Sequence, residues 1–114
     1  MKKIGIIGAM EVEVAALKSA MKVSRMLNKA QMEFLEGELE GCQAVVVRSG
    51  IGKVNAAVCT QILVDEFGVD GVINTGIAGS LKAEINIGDI VLSTDVLHHD
   101  MDATGFGYDL GQIP

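Results

Sequence analysis

Three short apolar runs, each closed by a turn of small residues, constrain this chain more than any other feature. Ile4-Gly-Ile-Ile7 runs into Gly8-Ala9, Cys42–Val47 into Ser49-Gly-Ile-Gly52, and Val69–Ile73 into Asn-Thr-Gly-Ile-Ala-Gly-Ser80. Brief β-branched runs without polar alternation are strands buried on both faces, as in a sheet covered by helices. Two helical segments separate them. Met10, Val14, Leu17 and Met21 recur as one apolar stripe, predicting an amphipathic helix to about residue 23. A second helix is predicted from Lys53 to Phe67, with Gly68 placed to end it. Val54, Val58 and Ile62 mark one face of it, and Ala56, Cys59, Leu63 and Phe67 nearly the opposite one. A helix apolar all round is buried on two sides, here by the sheet and by a second subunit.

Between the helices, residues 24–30 are polar and without period, and read as a loop. Met32, Phe34 and Leu39 read as a strand joined to Cys42–Val47 through a turn at Glu40-Gly41. Ile87–Leu97 reads as one more long strand, and the glycine-rich stretch after it has no period. The expected fold is an α/β domain with a mixed central sheet flanked by helices, occupying residues 1–114 as one unit.

Composition narrows the function. The 114 residues are 49% hydrophobic and 21% charged, which excludes a disordered tail. So apolar a composition in so short a chain implies that further protein covers part of its surface. A net charge of −6 with no basic stripe argues against duplex nucleic acid and anionic membrane as partners. Two cysteines, Cys42 and Cys59, give no disulfide framework and no metal spacing. They read as buried thiols of a soluble protein in a reducing cytoplasm. The N-terminus lacks a clean signal-peptide core, and no run is long enough to span a membrane.

Glycine motifs for nucleotides fail. Gly5-Ile-Ile-Gly8 lacks the third glycine of a dinucleotide fingerprint, and Gly50-Ile-Gly-Lys53 is followed by Val54 where a P-loop needs Ser or Thr. The three turns after Ile7, Val47 and Ile73 nevertheless share the carboxyl end of a sheet, where α/β proteins bind ligands. Glu11 and Glu13 stand at the mouth of that crevice, although carboxylates in a first helical turn also serve the helix dipole. His98-His99-Asp100 with Asp102 has ligand-type residues, but neighbouring histidines at a strand end point apart, so no metal is assigned. Phe106 and Tyr108 are half of the four aromatic residues, and they lie in an irregular segment where rings often cap apolar ligands.

IGIIGAMEVEV, SGIGKVNAA, INTGIAGSL, IGDIVLSTD and HDMDATGFGYDLGQIP, in this order, resemble the N-terminal half of the 5'-methylthioadenosine/S-adenosylhomocysteine nucleosidase family. The resemblance implies a nucleoside phosphorylase fold, a homodimer, and cofactor-free hydrolysis of the adenine–ribose bond of an adenine nucleoside. It makes Glu13 the carboxylate that activates water. Ala9, Met10 and Ile51 would lie against the ribose and 5'-alkylthio group, and Ala78 and Gly79 against the nucleoside. Ala103, Phe106, Tyr108 and Pro114 would close the alkylthio pocket of the neighbouring subunit. Ile77 replaces the Ser of the TGSAG found in many relatives. The general acid and the ribose-diol ligands fall in a C-terminal half beyond residue 114, so residues 1–114 alone are expected to be inactive. The alternatives are a phosphorylase, a hydrolase of another nucleoside such as futalosine, or a non-catalytic adenine-nucleoside binding fragment.

Overall fold

The computed structural model describes residues 2–114, which divide into two units, the first ending at Gly79 and the second spanning Ser80–Pro114. The first contains strand β1 (Lys3–Gly8), helix α1 (Glu11–Ala20), strands β2 (Lys22–Lys29), β3 (Met32–Leu39) and β4 (Cys42–Arg48), helix α2 (Lys53–Phe67) and strand β5 (Gly71–Asn74). The five strands form one sheet in the order β2-β3-β4-β1-β5. β1 runs parallel to β4 and β5, while β2, β3 and β4 are antiparallel neighbours, so the sheet is mixed as expected.

Side-chain alternation along β4 builds two cores. Val45 and Val47 face Phe34, Cys59, Leu63 and Phe67, beneath α2. Ala44 and Val46 face Val14, Met21 and Leu35, beneath α1. Each fully buried Val contributes roughly 1.5–3 kcal/mol by leaving water. Phe34 and Phe67 stack with centroids 5.4 Å apart. The glycines of Gly5-Ile-Ile-Gly8 are packing residues. A Cβ on Gly5 would press on Leu63, and one on Gly8 on Val14, so their absence lets α2 and α1 approach β1. Gly68 ends α2 in the left-handed conformation, φ 60°, and its N–H returns to the carbonyl of Val64.

Several expectations need correction. Helix α1 stops at Ala20, not near residue 23, and residues 24–30 are mostly strand rather than loop. β2 is an edge strand, largely exposed on both faces. Its polar sequence therefore carries no burial pattern, and Lys22, Arg25 and Lys29 discourage further edge pairing. Its turn is also unmarked in sequence, because Ala30 (φ 51°) and Gln31 (φ 61°) take the left-handed conformations usually given to Asn-Gly. The Glu40-Gly41 turn is found where expected, with φ 48° and 80°. Cys42 beside it is exposed rather than buried, and only Cys59 is buried. The apolar faces of α2 also differ. Cys59, Leu63 and Phe67 are covered by the sheet, while Val54 is 79% and Val58 41% exposed.

The second unit is mostly turns, with one short 3-10 turn at Thr104–Phe106. Ile87–Leu97 does not form the expected strand. A strand requires a ladder partner as well as β-branched residues, and this run has none among the described residues. Ile87, Ile90, Leu92 and Val96 are each exposed. The unit is held by backbone bonds from His98 N–H to Gly111 C=O (3.0 Å) and from Gly111 N–H to Met101 C=O (2.9 Å).

Candidate functional site

β1 and β4 are adjacent and parallel, yet the helices that follow them leave to opposite faces, α1 over Val46 and α2 over Val47. This is a switch point, where an open α/β sheet leaves a crevice at the strands' carboxyl ends. The turns there are stitched together. Ser49 N–H donates to Gly8 C=O at 2.9 Å, and Thr75 N–H to Ile7 C=O at 2.9 Å. Ser49 is buried, with its hydroxyl on the carbonyl of Gly50 at 2.8 Å. A cleft of about 450 Å³ opens at this point, and Ala9, Met10, Arg48, Ile51 and Asn55 are among its lining residues. That volume suits a small organic ligand.

Glu13 lies in the first turn of α1, just after the turn that closes β1. Its Oε2 accepts the N–H of Met10, the residue capping α1, at 2.9 Å. Its Oε1 lies 3.4 Å from the N–H of Ile77, in the loop after β5. The carboxylate therefore spans the turns after β1 and β5, neither sealed in hydrocarbon nor directed away from the strand ends. The Met10 N–H is the main cause holding its carboxyl below the ordinary 4.5, with the Ile77 and Ala9 N–H groups assisting against desolvation. At neutral pH Glu13 is an ionised acceptor with one oxygen anchored and the other near Gly76 and Ile77. That arrangement can orient a water and take its proton.

Sequence reading missed the loop's contribution. Gly76 matters because it has no side chain, since a Cβ there would lie 2.8 Å from Glu13 Oε1. Ile77 meets Glu13 through its backbone N–H, and its side chain is exposed. Arg48 was also missed. It ends β4, lines the cleft, and faces Glu11 at 3.9 Å. Its charge at a strand's carboxyl end is the only signal the sequence offers.

The structure brings Ala9, Met10 and Ile51 together around the cleft, with Glu13 bonded to Met10. Ala78 and Gly79 are exposed on the loop following β5. Ala103, Phe106, Tyr108 and Pro114 belong to the second unit. There Ala103 is buried and accepts the N–H of Phe106 at 2.9 Å, while the Phe106 ring is 86% exposed. His98 and His99 sit at a turn, not a strand end, each with Nδ1 just under 4 Å from the same Asp100 oxygen. Asp102 is occupied by Thr104, whose hydroxyl and N–H donate to it at 2.6 and 3.0 Å. Among the described residues, no three His, Cys, Asp or Glu side chains are gathered to hold a metal.

Known proteins resemble the chain throughout its length. It is 52% identical over 112 residues to the 5'-methylthioadenosine/S-adenosylhomocysteine nucleosidase of Colwellia psychrerythraea, covering 98% of this chain and 46% of that protein. A crystal structure of such a nucleosidase from Colwellia psychrerythraea 34H, in complex with adenine, matches with a TM-score of 0.94 and 51% identity. That match covers 99% of this chain and 47% of the other. The Neisseria meningitidis nucleosidase in complex with methylthio-immucillin-A matches at 0.93 with 46% identity, over 100% and 49% of the two chains. The chain thus spans about half the length of these relatives. With a sequence profile of the phosphorylase superfamily matching residues 3–114, the chain belongs to that superfamily.

Proposed function

We propose that the protein containing this chain hydrolyses the N-glycosidic bond of 5'-methylthioadenosine and S-adenosylhomocysteine, releasing adenine, with Glu13 activating the water. The observation that carries this reading is the Glu13 carboxylate, ionised and held between the turns after β1 and β5 beside the switch-point cleft. The names of the relatives supply the substrates.

In this reaction the bond between the anomeric carbon and the purine nitrogen breaks, and its electron pair leaves with the base. The sugar becomes oxocarbenium-like. Water adds to the anomeric carbon and gives a proton to Glu13, while a separate donor protonates the purine, by analogy with the paired acid and base of inverting glycosidases. Glu13 supplies only the water side. The purine-side donor and the ribose-diol ligands belong to a further half of the domain, so residues 1–114 by themselves release no adenine. Ala9, Met10 and Ile51 face the ribose and 5'-alkylthio group, and Ala78 and Gly79 the nucleoside. No cofactor takes part.

The reading includes a homodimer. The exposed Val54 and Val58 on α2 supply an apolar stripe for a second copy. Ala103, Phe106, Tyr108 and Pro114 then close the alkylthio pocket of the neighbouring subunit. Two free thiols suit a reducing cytoplasm. No described helix is long and apolar enough to cross a membrane.

Phosphorolysis is the rival to test. The whole protein, given 5'-methylthioadenosine with and without phosphate, should release adenine and the free sugar at the same rate in both. Acceleration by phosphate with a sugar 1-phosphate as product would make the protein a phosphorylase.

A further inference from the structure

The switch-point cleft carries charges that an uncharged methylthio nucleoside does not use. Met10, Met32 and Ile51 line it with apolar groups, whereas Arg48 and Glu11 place a cation and an anion in the same lining. The Arg48 Nε stands 3.9 Å from Glu11 Oε2, too far for a hydrogen bond. Glu11 also meets the Lys18 ammonium, 3.1 Å from both of its oxygens, and its half-exposed carboxylate keeps lone pairs for a further donor. Among the described residues, Glu11 is the one ion-pair partner of Arg48. The Arg48 side chain is about half exposed, and it lines the cleft.

We propose that Arg48, with Glu11 beside it, binds the charged amino-acid end of S-adenosylhomocysteine, the guanidinium taking the α-carboxylate and Glu11 the α-ammonium. The proposal rests on the nucleosidase reading above. Met10 and Ile51 both line this cleft and are the residues placed against the 5'-alkylthio group. A chain extending from the sulfur therefore enters the cleft along its apolar lining and reaches the charged pair, whereas a methyl group stops short of it. A planar guanidinium matches a carboxylate in geometry as well as charge. Free phosphate fits less well, because its second negative charge meets Glu11, while a zwitterion offers each protein charge an opposite one.

The test uses the whole protein and the ratio of kcat/KM for S-adenosylhomocysteine to that for 5'-methylthioadenosine. Arg48→Gln should lower this ratio by about tenfold, mainly through KM, the lower end for a charge-assisted contact from a half-exposed group. Arg48→Lys, which keeps the charge, should lose less. An S-adenosylhomocysteine analogue lacking the α-carboxylate should lose much less than S-adenosylhomocysteine on Arg48→Gln. A ratio unmoved by Arg48→Gln, or an equal loss on both substrates and the analogue, overturns the proposal and leaves the nucleosidase reading intact. Wild-type protein that releases adenine from neither substrate overturns both.

Discussion

Gly76→Ala probes the placement of Glu13 without touching its chemistry. The new methyl carbon would lie 2.8 Å from Glu13 Oε1 and 3.3 Å from its carboxyl carbon. Ordinary contact begins near 3.4 Å, so the carboxylate must retreat by about 0.6 Å, and misplacements near 1 Å cost about 10²-fold in rate. The expected loss in kcat is therefore about tenfold. The fold should be unaffected, because the atom that yields is the free end of a flexible side chain and Gly76 does not occupy the left-handed region. The assay is adenine release from 5'-methylthioadenosine by the whole protein, alongside a melting curve. Glu13→Asp supplies the control, since its shorter side chain has already withdrawn from position 76. Adding Gly76→Ala to it should cost less than about twofold more, a coupling expected of groups in contact. Unchanged kcat in Gly76→Ala, or fully multiplicative losses in the double variant, would refute the placement of Oε1 against this loop.

Three further outcomes test other parts of the account. Replacing Ala30-Gln31 by Asn-Gly relieves two left-handed residues at the β2–β3 turn, each costing roughly 1–2 kcal/mol in an L-residue. The melting temperature should rise by a few degrees, and a fall would contradict the turn geometry. Alkylation of the native protein near pH 8 should label Cys42 and spare Cys59, whose thiol burial pushes up to about 11; equal labelling would place Cys59 outside the core. The folded-state pKa of Glu13 is depressed, so its contribution to stability is present above about 4.5 and fades as pH falls through the folded value. The acid limb of kcat/KM should accordingly lie below pH 4.5, and a limb centred above 6 would assign the essential base to another group.

The parts of the fold that the sequence reveals are those where burial or a turn residue leaves a mark. Continuous burial of Val45, Val46 and Val47 under two helices is written as an unbroken β-branched run, and Gly68 and Gly41 stand where the backbone turns left-handed. β2 leaves no such mark, because an edge strand exposed on both faces needs only backbone pairing, and its turn uses Ala and Gln. Ile87–Leu97 errs the other way, since β-branched composition cannot create the neighbour that a ladder requires. At the site, resemblance singled out Glu13, Met10 and Ile51, and the structure gathers Met10 and Ile51 at one crevice with Glu13 bonded to Met10. The contributions of Gly76 and Ile77 are made by a missing side chain and a backbone N–H. Residue identity alone does not record either.

The most direct measurement is turnover of 5'-methylthioadenosine by the whole protein carrying Glu13→Gln. Glutamine keeps an oxygen for the Met10 N–H, so the start of α1 and the melting temperature should be preserved, while the negative charge that accepts a proton from water is gone. The expected loss in kcat is about 10²–10⁴, the range for removing a general base. Turnover within about threefold of wild type, in a variant that melts normally, would contradict that role.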